Sequence, residues 1–293
     1  MAKFDIAQAV TNKIIDLIES GQVTGKGWQA PWNKGMALPR NAKTGKFYRG
    51  VNVLLLWNAG AYKSNVWATW KQWKSMGHQP ENAKGQGRMI VFWKIIEKKE
   101  RQPDGSEKVI DKVPFLRYST VFNADLVPTY EEPDQNALDE AERFSNVDSV
   151  IESTGANIYH DGGHMAFYRP LTDSIHLPVF KSFDSASGYY STALHELAHW
   201  TGHESRLKRD FSSRFGDNAY AFEELIAELS AAFSCAQLGI TAETRQDHAE
   251  YIKHWLDVMK GDKNAIITAS SQAAKATEYI IEASDSEASK DAA

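Results

Sequence analysis

The segment His195-Glu196-Leu197-Ala198-His199 places two imidazoles four residues apart with a carboxylate between them. On a helix, positions i and i+4 face the same way, about one turn apart, so both imidazoles can reach one Zn²⁺ at ~2.0–2.1 Å. The carboxylate of Glu196 leaves the helix on an adjacent face, where it can accept a proton and later deliver it to a leaving amine. The spacing therefore predicts a metal-binding helix with a general base. Zn²⁺ fits this donor set, and Mn²⁺ or Co²⁺ could also occupy it.

Two histidines leave such a site short of a ligand. Residues 222–229 predict an apolar helix that carries Glu224 and Glu228 on one face. Buried carboxylates need a cation or a donor, so one could bind the metal while the other accepts a hydrogen bond from a ligand imidazole. A solvated helix face is the alternative. His203 is a weaker third candidate, because a continuous helix would place it ~12 Å from His195, although Gly202 could bend the chain.

The pair of carboxylates resembles that of zinc metallopeptidases with a glutamate third ligand. The resemblance implies that Glu224 binds the metal and that Glu228 supports a ligand. From the residues alone, the choice between Glu224 and Glu228 stays open.

Charge divides this chain unevenly. The whole sequence of 293 residues has a net charge of −5, but residues 1–127 hold 20 Lys and Arg against 10 Asp and Glu, whereas residues 128–293 hold 13 against 28. The first part is therefore +10 and the second −15, and seven of the nine tryptophans lie in the basic part. A mildly acidic protein can thus still have a nucleic-acid partner, and each part needs its own interpretation.

The basic part combines aromatic and cationic side chains. Aromatic rings stack on unpaired bases while Lys and Arg follow phosphates, so the combination favours single-stranded over duplex DNA. The sequence has no helix-turn-helix or zinc-finger pattern. Alternatively, most of these tryptophans build a small core, as we expect for Trp57. The candidate DNA contacts are Trp32, Lys34, Arg40, Lys43, Lys46, Tyr48 and Arg49.

Hydrophobic periodicity and turn residues predict an α+β fold. Helices are expected over residues 4–20, 67–75, 138–154, 189–201, 219–238, 244–259 and 264–283, and strands over residues 88–98, 108–123, 157–160, 165–169 and 174–177. Pro103-Asp104-Gly105 predicts the turn between the first two strands. The single cysteine, Cys235, excludes a disulfide framework and a cysteine-based zinc finger.

Composition also suggests how the chain is divided. We expect a basic, Trp-rich domain over residues 1–127, a linker over 128–140, a second domain over 141–283 and a disordered tail over 284–293. No run of ~18 apolar residues is present, so no membrane contact is expected, and the lack of a secretory segment predicts a cytoplasmic protein.

Three segments of the chain together resemble the ArdC antirestriction proteins of conjugative plasmids. They are Pro31-Trp32-Asn33, residues 39–57, and the run from His195 through Trp-Thr-Gly-His203 to Leu207, which is followed by Glu224 to Glu228. The resemblance implies an N-terminal domain that binds single-stranded DNA and a C-terminal zincin-like metallopeptidase domain. That second domain would combine a short sheet with the HExxH helix and a glutamate-bearing helix. The resemblance also implies protection of incoming plasmid DNA against restriction by the host.

Three functional hypotheses remain open at this stage. The first is a metallopeptidase tethered to DNA that acts on a protein of the host restriction system. The second is a DNA-binding shield whose metal site is structural and inactive, and the third is a nuclease. The intact Glu196 favours the first, since a structural site needs no general base. The charge of −15 around the metal motif disfavours the third.

Overall fold

The structure of the protein is a computed structural model. It describes residues 4–19, 23–24, 27–28, 37–60, 62–101, 107–132, 139–209, 218–242 and 248–291. In these ranges the helices are α1 (Ile6–Glu19), α2 (Val51–Trp57), α3 (Trp70–Ser75), α4 (Glu140–Ser153), α5 (Ala186–Thr201), α6 (Asn218–Leu238), α7 (His248–Gly261) and α8 (Ala265–Asp291). The strands are β1 (Val23–Thr24), β2 (Gly27–Trp28), β3 (Arg40–Asn41), β4 (Val66–Thr69), β5 (Arg88–Arg101), β6 (Glu107–Asn123), β7 (Asn157–Tyr159), β8 (Phe167–Arg169) and β9 (Ser174–His176).

The N-terminal part is organised around a four-stranded sheet in the order β3-β4-β6-β5. Strand β3 is parallel to β4, and the other pairs are antiparallel. The β5–β6 pair is the longest and extends as a two-stranded ribbon beyond β4. The short strands β1 and β2 form a separate antiparallel pair.

The C-terminal part places a three-stranded sheet, in the order β7-β9-β8, beside the helices. Its central strand buries Ile175 against the same core as Leu194 of α5 and Leu225 of α6. Helix α5 begins at the N-cap Ser185, whose Oγ accepts the backbone N–H of Gly188 at 2.9 Å. The helix ends at Gly202. The metal motif therefore lies on a helix that is fixed at both ends and packed between a sheet and a second helix.

One hydrophobic core connects the two parts of the chain. It contains Ile14 of α1, Leu54 of α2 and Val91 of β5 together with apolar residues of α5, α6 and α8. Gly50, which precedes α2, has a φ of 58° and lies close to the backbone of Ser270 in α8. The left-handed conformation and the close approach both favour glycine there. The predicted boundary at residue 127 stays a prediction, but the packing around it is continuous.

The α+β fold class predicted from the sequence is confirmed, with two local differences. Residues 67–75 do not form one helix, because Val66–Thr69 is strand β4, which pairs with β6 before α3 begins. Thr69 separates the two elements by capping α3, and its Oγ1 accepts the N–H of Gln72 at 3.2 Å. β-Branched and aromatic residues favour the strand that precedes this cap.

The expected disordered tail is the second difference. Helix α8 continues to Asp291, over most of residues 284–293. Five of residues 284–291 are Ser or Asp, which are weak helix formers, but a chain that extends an existing helix avoids the cost of nucleation. The predicted turn at Pro103-Asp104-Gly105 lies outside the described residues. Among the described residues, no helix is long and apolar enough to cross a membrane.

Candidate metal centre

The two histidines of the HExxH segment face α6 from the buried side of α5. His195, Glu196 and His199 are all buried, and Glu196 is only 2% exposed. The Nε2 atoms of His195 and His199 lie 3.2 Å apart. Both imidazoles therefore point their Nε2 atoms at the same place, as the i and i+4 spacing predicts.

Glu224 of α6 completes the cluster. Its Oε2 lies 3.5 Å from Nε2 of His195, and its Oε1 lies 3.5 Å from Nε2 of His199. Among the described residues, these three side chains form the group that could hold a metal ion. Ligand atoms ~2.0–2.1 Å from a tetrahedral ion lie about 3.3–3.4 Å apart. The observed separations of 3.2–3.5 Å therefore fit a small divalent metal.

Carboxylates also face the outer nitrogens of both imidazoles. Nδ1 of His199 lies 3.1 Å from Oε1 of Glu223, and Nδ1 of His195 lies 3.7 Å from Oε2 of Glu228. A metal-bound histidine commonly donates its other N–H to a carboxylate, which fixes the ring and its tautomer. Glu223 is within hydrogen-bond distance of His199 and could accept its Nδ1–H, which would leave Nε2 of that ring to bind a metal, whereas Glu228 is too far from His195 for a hydrogen bond.

Arg209 fixes Glu223 in turn. Its Nε donates to Oε2 of Glu223 at 2.9 Å, and its Nη2 donates to Oε1 at 2.9 Å, so the ion pair is bidentate. Nη2 also donates to the carbonyl of Ala198, and Nη1 donates to Oγ1 of Thr201 at 2.9 Å. Arg209 thereby ties the end of α5 to α6 and holds the partner of His199 in place.

The imidazoles and carboxylates of this cluster shift one another's pKa values. Burial opposes charge on His199, but the carboxylates of Glu224 and Glu223 outweigh it and raise the pKa of this imidazole. Burial also works against ionisation of Glu224, yet the two imidazoles hold its pKa well below the usual range. A divalent ion at this place would compensate the carboxylate charge and would bind both imidazoles in their neutral form, since metal ligands bind deprotonated.

Comparison with known proteins agrees with this geometry. A family described as zincin-like metallopeptidase matches residues 145–272, and the family of the N-terminal domain of the anti-restriction factor ArdC matches residues 4–122. The crystal structure of the antirestriction ArdC protein from the R388 plasmid, in its metal-free form, superposes with a TM-score of 0.79 at 38% identity. The match covers 97% of this chain and 99% of that one. The chain belongs to the ArdC antirestriction family.

Other relatives of this ArdC-family chain extend the comparison. The Mn(II)-bound structure of the R388 protein matches with a TM-score of 0.76 at 37% identity, over 96% of this chain and 98% of that one. The uncharacterized protein y4eC of Sinorhizobium fredii is 38% identical over 94% of this chain and 91% of its own length. Two DNA primases TraC of Escherichia coli are 35% and 36% identical over 94% of this chain, which spans only 20% and 27% of their lengths.

His203, the other ligand considered from the sequence, is not part of the cluster. It follows the C-cap Gly202, and its Nδ1 lies 2.8 Å from Oγ of Ser205. Its neighbour Arg206 also turns away from α6 and binds Asp173, with Nη1 donating to Oδ2 at 3.0 Å. Of these two arginines, Arg209 pairs with α6 through Glu223, and Arg206 pairs with Asp173.

The candidate DNA contacts do not form one surface in the described residues. Trp32 and Lys34 lie outside those residues. Arg40 is half-buried in β3, and Tyr48 is half-buried and accepts a hydrogen bond from Nδ2 of Asn41 at 2.9 Å. Both side chains are thus only partly accessible, and their role as DNA contacts stays a prediction.

The three remaining candidates are exposed. Nζ of Lys43 donates to Oγ of Ser75 at 2.7 Å, and Arg49 forms an ion pair with Glu278 of α8. Lys46 extends from the loop without a structural role of this kind.

Glu223 is the residue of the metal centre that sequence analysis missed. It is directly followed by Glu224 on an otherwise apolar helix, and this adjacency is the signal that could have found it. Two neighbouring helical residues differ in direction by about 100°, so pattern alone assigns only one of them to the face of α5. In the structure both carboxylates reach His199, Glu223 at Nδ1 and Glu224 at Nε2.

Proposed function

We propose that the protein is an antirestriction factor that binds single-stranded DNA and protects incoming plasmid DNA from host restriction, with a metal-dependent peptidase centre in its C-terminal part. The observation that carries the peptidase assignment is the buried His195, His199 and Glu224 cluster beside Glu196. Membership of the ArdC family supports the protective role.

The residues of this centre have distinct roles in the proposal. His195, His199 and Glu224 would hold the metal, while Glu223 and Glu228 orient the two imidazoles. A divalent metal in such a site supplies a Lewis acid that polarises a carbonyl and lowers the pKa of a bound water. Glu196 takes up a proton on its carboxylate and returns it to the leaving amine. The donor set of two imidazoles and one carboxylate suits Zn²⁺, and the Mn(II)-bound relative indicates that Mn²⁺ is also a candidate.

The surroundings of the centre favour a protein substrate. The C-terminal part carries −15, which repels a phosphodiester and leaves a peptide bond as the better target. We propose that the target is a protein of the host restriction system. We also propose that this protein acts on it in the cytoplasm, where incoming single strands arrive.

A shield with an inactive metal site is the second candidate. The burial of Glu196, which leaves 2% of the residue exposed, favours it, since a general base must reach its substrate. In this case the metal would stabilise the fold around α5 and α6, and the DNA-binding part would provide all of the protection.

The variant Glu196→Gln separates the two candidates. It keeps the three proposed ligands and replaces the carboxylate by an amide that takes up no proton. We expect the variant to bind metal like the wild type and to lose protection in a mating assay with a restricting recipient. Full protection by Glu196→Gln, with unchanged metal content, would exclude the peptidase and leave the shield. Glu204→Gln is the matched control, because Glu204 is exposed beyond the end of α5.

A further inference from the structure

One face of the β5–β6 pair carries aromatic and basic side chains in a regular arrangement. Phe92 lies opposite Arg117, and Lys94 lies opposite Phe115. Opposed residues of antiparallel strands share a face, as do residues two apart on one strand. The four side chains therefore form a square, with the two phenyl rings on one diagonal and the two cations on the other. We call this square the ribbon face.

The ribbon face is open to solvent. Phe92 is 45% exposed, Lys94 and Arg117 are exposed, and Phe115 is half-buried. The guanidinium carbon of Arg117 lies 5.9 Å from the ring centroid of Phe115. On the opposite face of the same strands, Val91 and Leu116 pack on the main core, and Trp93 and Tyr118 are 56% and 54% exposed. The exposed rings are thus displayed on strands that the core holds in place.

Charge distinguishes this face from an ordinary apolar surface. Residues 88–94 and 115–121 include Arg88, Lys94 and Arg117 but no Asp or Glu. A surface that bound its partner only through phenyl rings would not need this excess of positive charge. Aromatic planes between unopposed cations suit a polyanion that also offers flat π-faces, which is the chemistry of single-stranded nucleic acid.

A cavity of about 240 Å³ lies beside β5, and its lining includes the basic residues Arg49 and Lys275. Val91, Trp93 and Leu116 also line this cavity, so it lies on the core-facing side of the strands and not on the ribbon face. Arg49 precedes α2, whereas Lys275 is an exposed residue of α8, so the cavity joins the two parts of the chain. Arg49 already pairs with Glu278 on α8, which holds its guanidinium at this rim.

We propose that single-stranded DNA lies across the ribbon face, with its bases on Phe92 and Phe115 and its phosphates at Lys94 and Arg117. The inference rests on the proposed single-strand binding and names its surface. The diagonal of such a square is ~7–8 Å, which is close to two base steps of ~3.4 Å, so the two rings can hold alternate bases of one strand.

Anisotropy titration of the full chain with a fluorescein-labelled oligo(dT) of ~15 nucleotides tests the stacking contacts. We expect Phe92→Ala to weaken binding roughly 5- to 100-fold, and Phe92→Trp to retain it, because tryptophan restores the stacking plane. Phe47→Ala is the matched control. Phe47 is 48% exposed and lies between Lys46 and Tyr48, two DNA contacts predicted from the sequence. An unchanged affinity for metal confirms that each variant is folded.

Salt dependence tests the charged diagonal. The double variant Lys94→Ala/Arg117→Ala should reduce the slope of log K against log salt concentration by about 1.4, since each single-strand phosphate contact contributes ~0.7. Lys84→Ala/Lys181→Ala, at two exposed lysines away from both surfaces, is the matched control and should keep the wild-type slope. Lys43→Ala/Lys46→Ala measures the contribution of the loop predicted from the sequence.

The outcomes separate this inference from the proposed function. Wild-type binding by the ribbon variants, with losses in the Phe47 and Lys43/Lys46 variants, would overturn the inference and leave DNA binding to the loop. Equal losses in both sets would also contradict it, because they place no specific contact on the ribbon face. A wild-type chain that binds no oligonucleotide would instead refute the proposed DNA binding itself.

Discussion

Three carboxylates of α6 surround the two imidazoles, and they approach different nitrogen atoms. Glu224 approaches both Nε2 atoms, whereas Glu223 and Glu228 each face one Nδ1. All three carboxylates carry the same charge, so their positions decide which of them can bind the metal. A carboxylate at Nε2 can share a metal with the imidazoles, and a carboxylate at Nδ1 can only orient a ring.

Replacing Glu224 and Glu228 one at a time tests this assignment. We expect Glu224→Gln to lose stoichiometric binding of Mn²⁺ or Zn²⁺, because it removes an anionic ligand. Glu228→Gln should keep one metal per chain and bind it about 10- to 100-fold more weakly, as for other partners of a ligand imidazole. Metal content after gel filtration and competition with a chelator measure both effects. The reverse order would make Glu228 the ligand.

Glu223 gives a second test at the scale of one residue. Glu223→Gln should weaken metal binding about 10-fold or more, since the amide no longer accepts a charge-assisted hydrogen bond from His199 and no longer pairs with Arg209. The same titration measures the change, with Glu204→Gln as control. A variant with wild-type affinity would show that α5 alone positions His199.

The extent to which sequence predicts the metal centre follows from these contacts. Two histidines four apart on one helix meet by local geometry, so their convergence was predictable. The rotation of α6 against α5 decides whether Glu223, Glu224 or Glu228 reaches a given nitrogen, and that rotation depends on tertiary packing. Spacing therefore identified the helix and two of its carboxylates, but it could not assign their partners.

At the scale of elements, an ion pair connects the β8–β9 turn with the end of α5. Asp173 accepts hydrogen bonds from Arg206 and from Oη of Tyr168, the latter at 2.8 Å. Arg206 in turn lies over the ring of Trp200, with 3.8 Å between the guanidinium carbon and the ring centroid, and its Nε donates to the Trp200 carbonyl at 2.6 Å. The turn thereby fixes the chain that follows the metal helix.

The variant Asp173→Asn tests this connection. Asp173 has a φ of 48°, a conformation that Asn tolerates well. Hydrogen bonds from Arg206 lower the pKa of Asp173, so its ionised form stabilises the fold above the unfolded pKa and loses this contribution as pH falls through the folded one. We expect the variant to be less stable by about 1 kcal/mol at neutral pH, discounted for solvent screening.

Urea unfolding at a series of pH values measures that difference. It should shrink below about pH 4, where the carboxyl of an unfolded chain becomes protonated. The exposed Asp184, replaced by Asn, provides the control and should show no such pH-dependent gap. A difference that is constant from neutral to acid pH would show that the ionisation of Asp173 does not stabilise the turn.

Sequence predicted long elements better than short ones. The periodic helices over residues 219–238 and 264–283 correspond to α6 and α8, because a long amphipathic pattern contains its own signal. Residues 67–75 divide into β4 and α3 only because β6 offers a pairing partner. The ribbon face was missed for a related reason, since its four residues come together through the register of the β5–β6 hairpin, and an irregularity at Lys98/Lys99 shifts that register.

At the scale of the molecule, the two parts of the chain that differ in net charge pack against each other. The net charges of +10 and −15 suggest two separate units, but α1 contacts the C-terminal helices directly. Oγ1 of Thr11 donates to the carbonyl of Lys263 at 2.6 Å, and Nζ of Lys260 lies 2.7 Å from Oε1 of Glu19. The same core contains Ile14 and residues of α5 and α6. The basic part and the acidic part of the chain therefore share a buried apolar core.

This shared core predicts that the metal stabilises the whole chain rather than its C-terminal part alone. We expect one unfolding transition, seen together by tryptophan fluorescence and far-ultraviolet circular dichroism. Metal at 100 times its dissociation constant should stabilise that transition by about 2.7 kcal/mol. A fragment of residues 1–127 lacks α8 and exposes Leu54, which is fully buried in the whole chain, so it should not unfold cooperatively. Two separate transitions, with only one moved by metal, would show that the two parts fold independently.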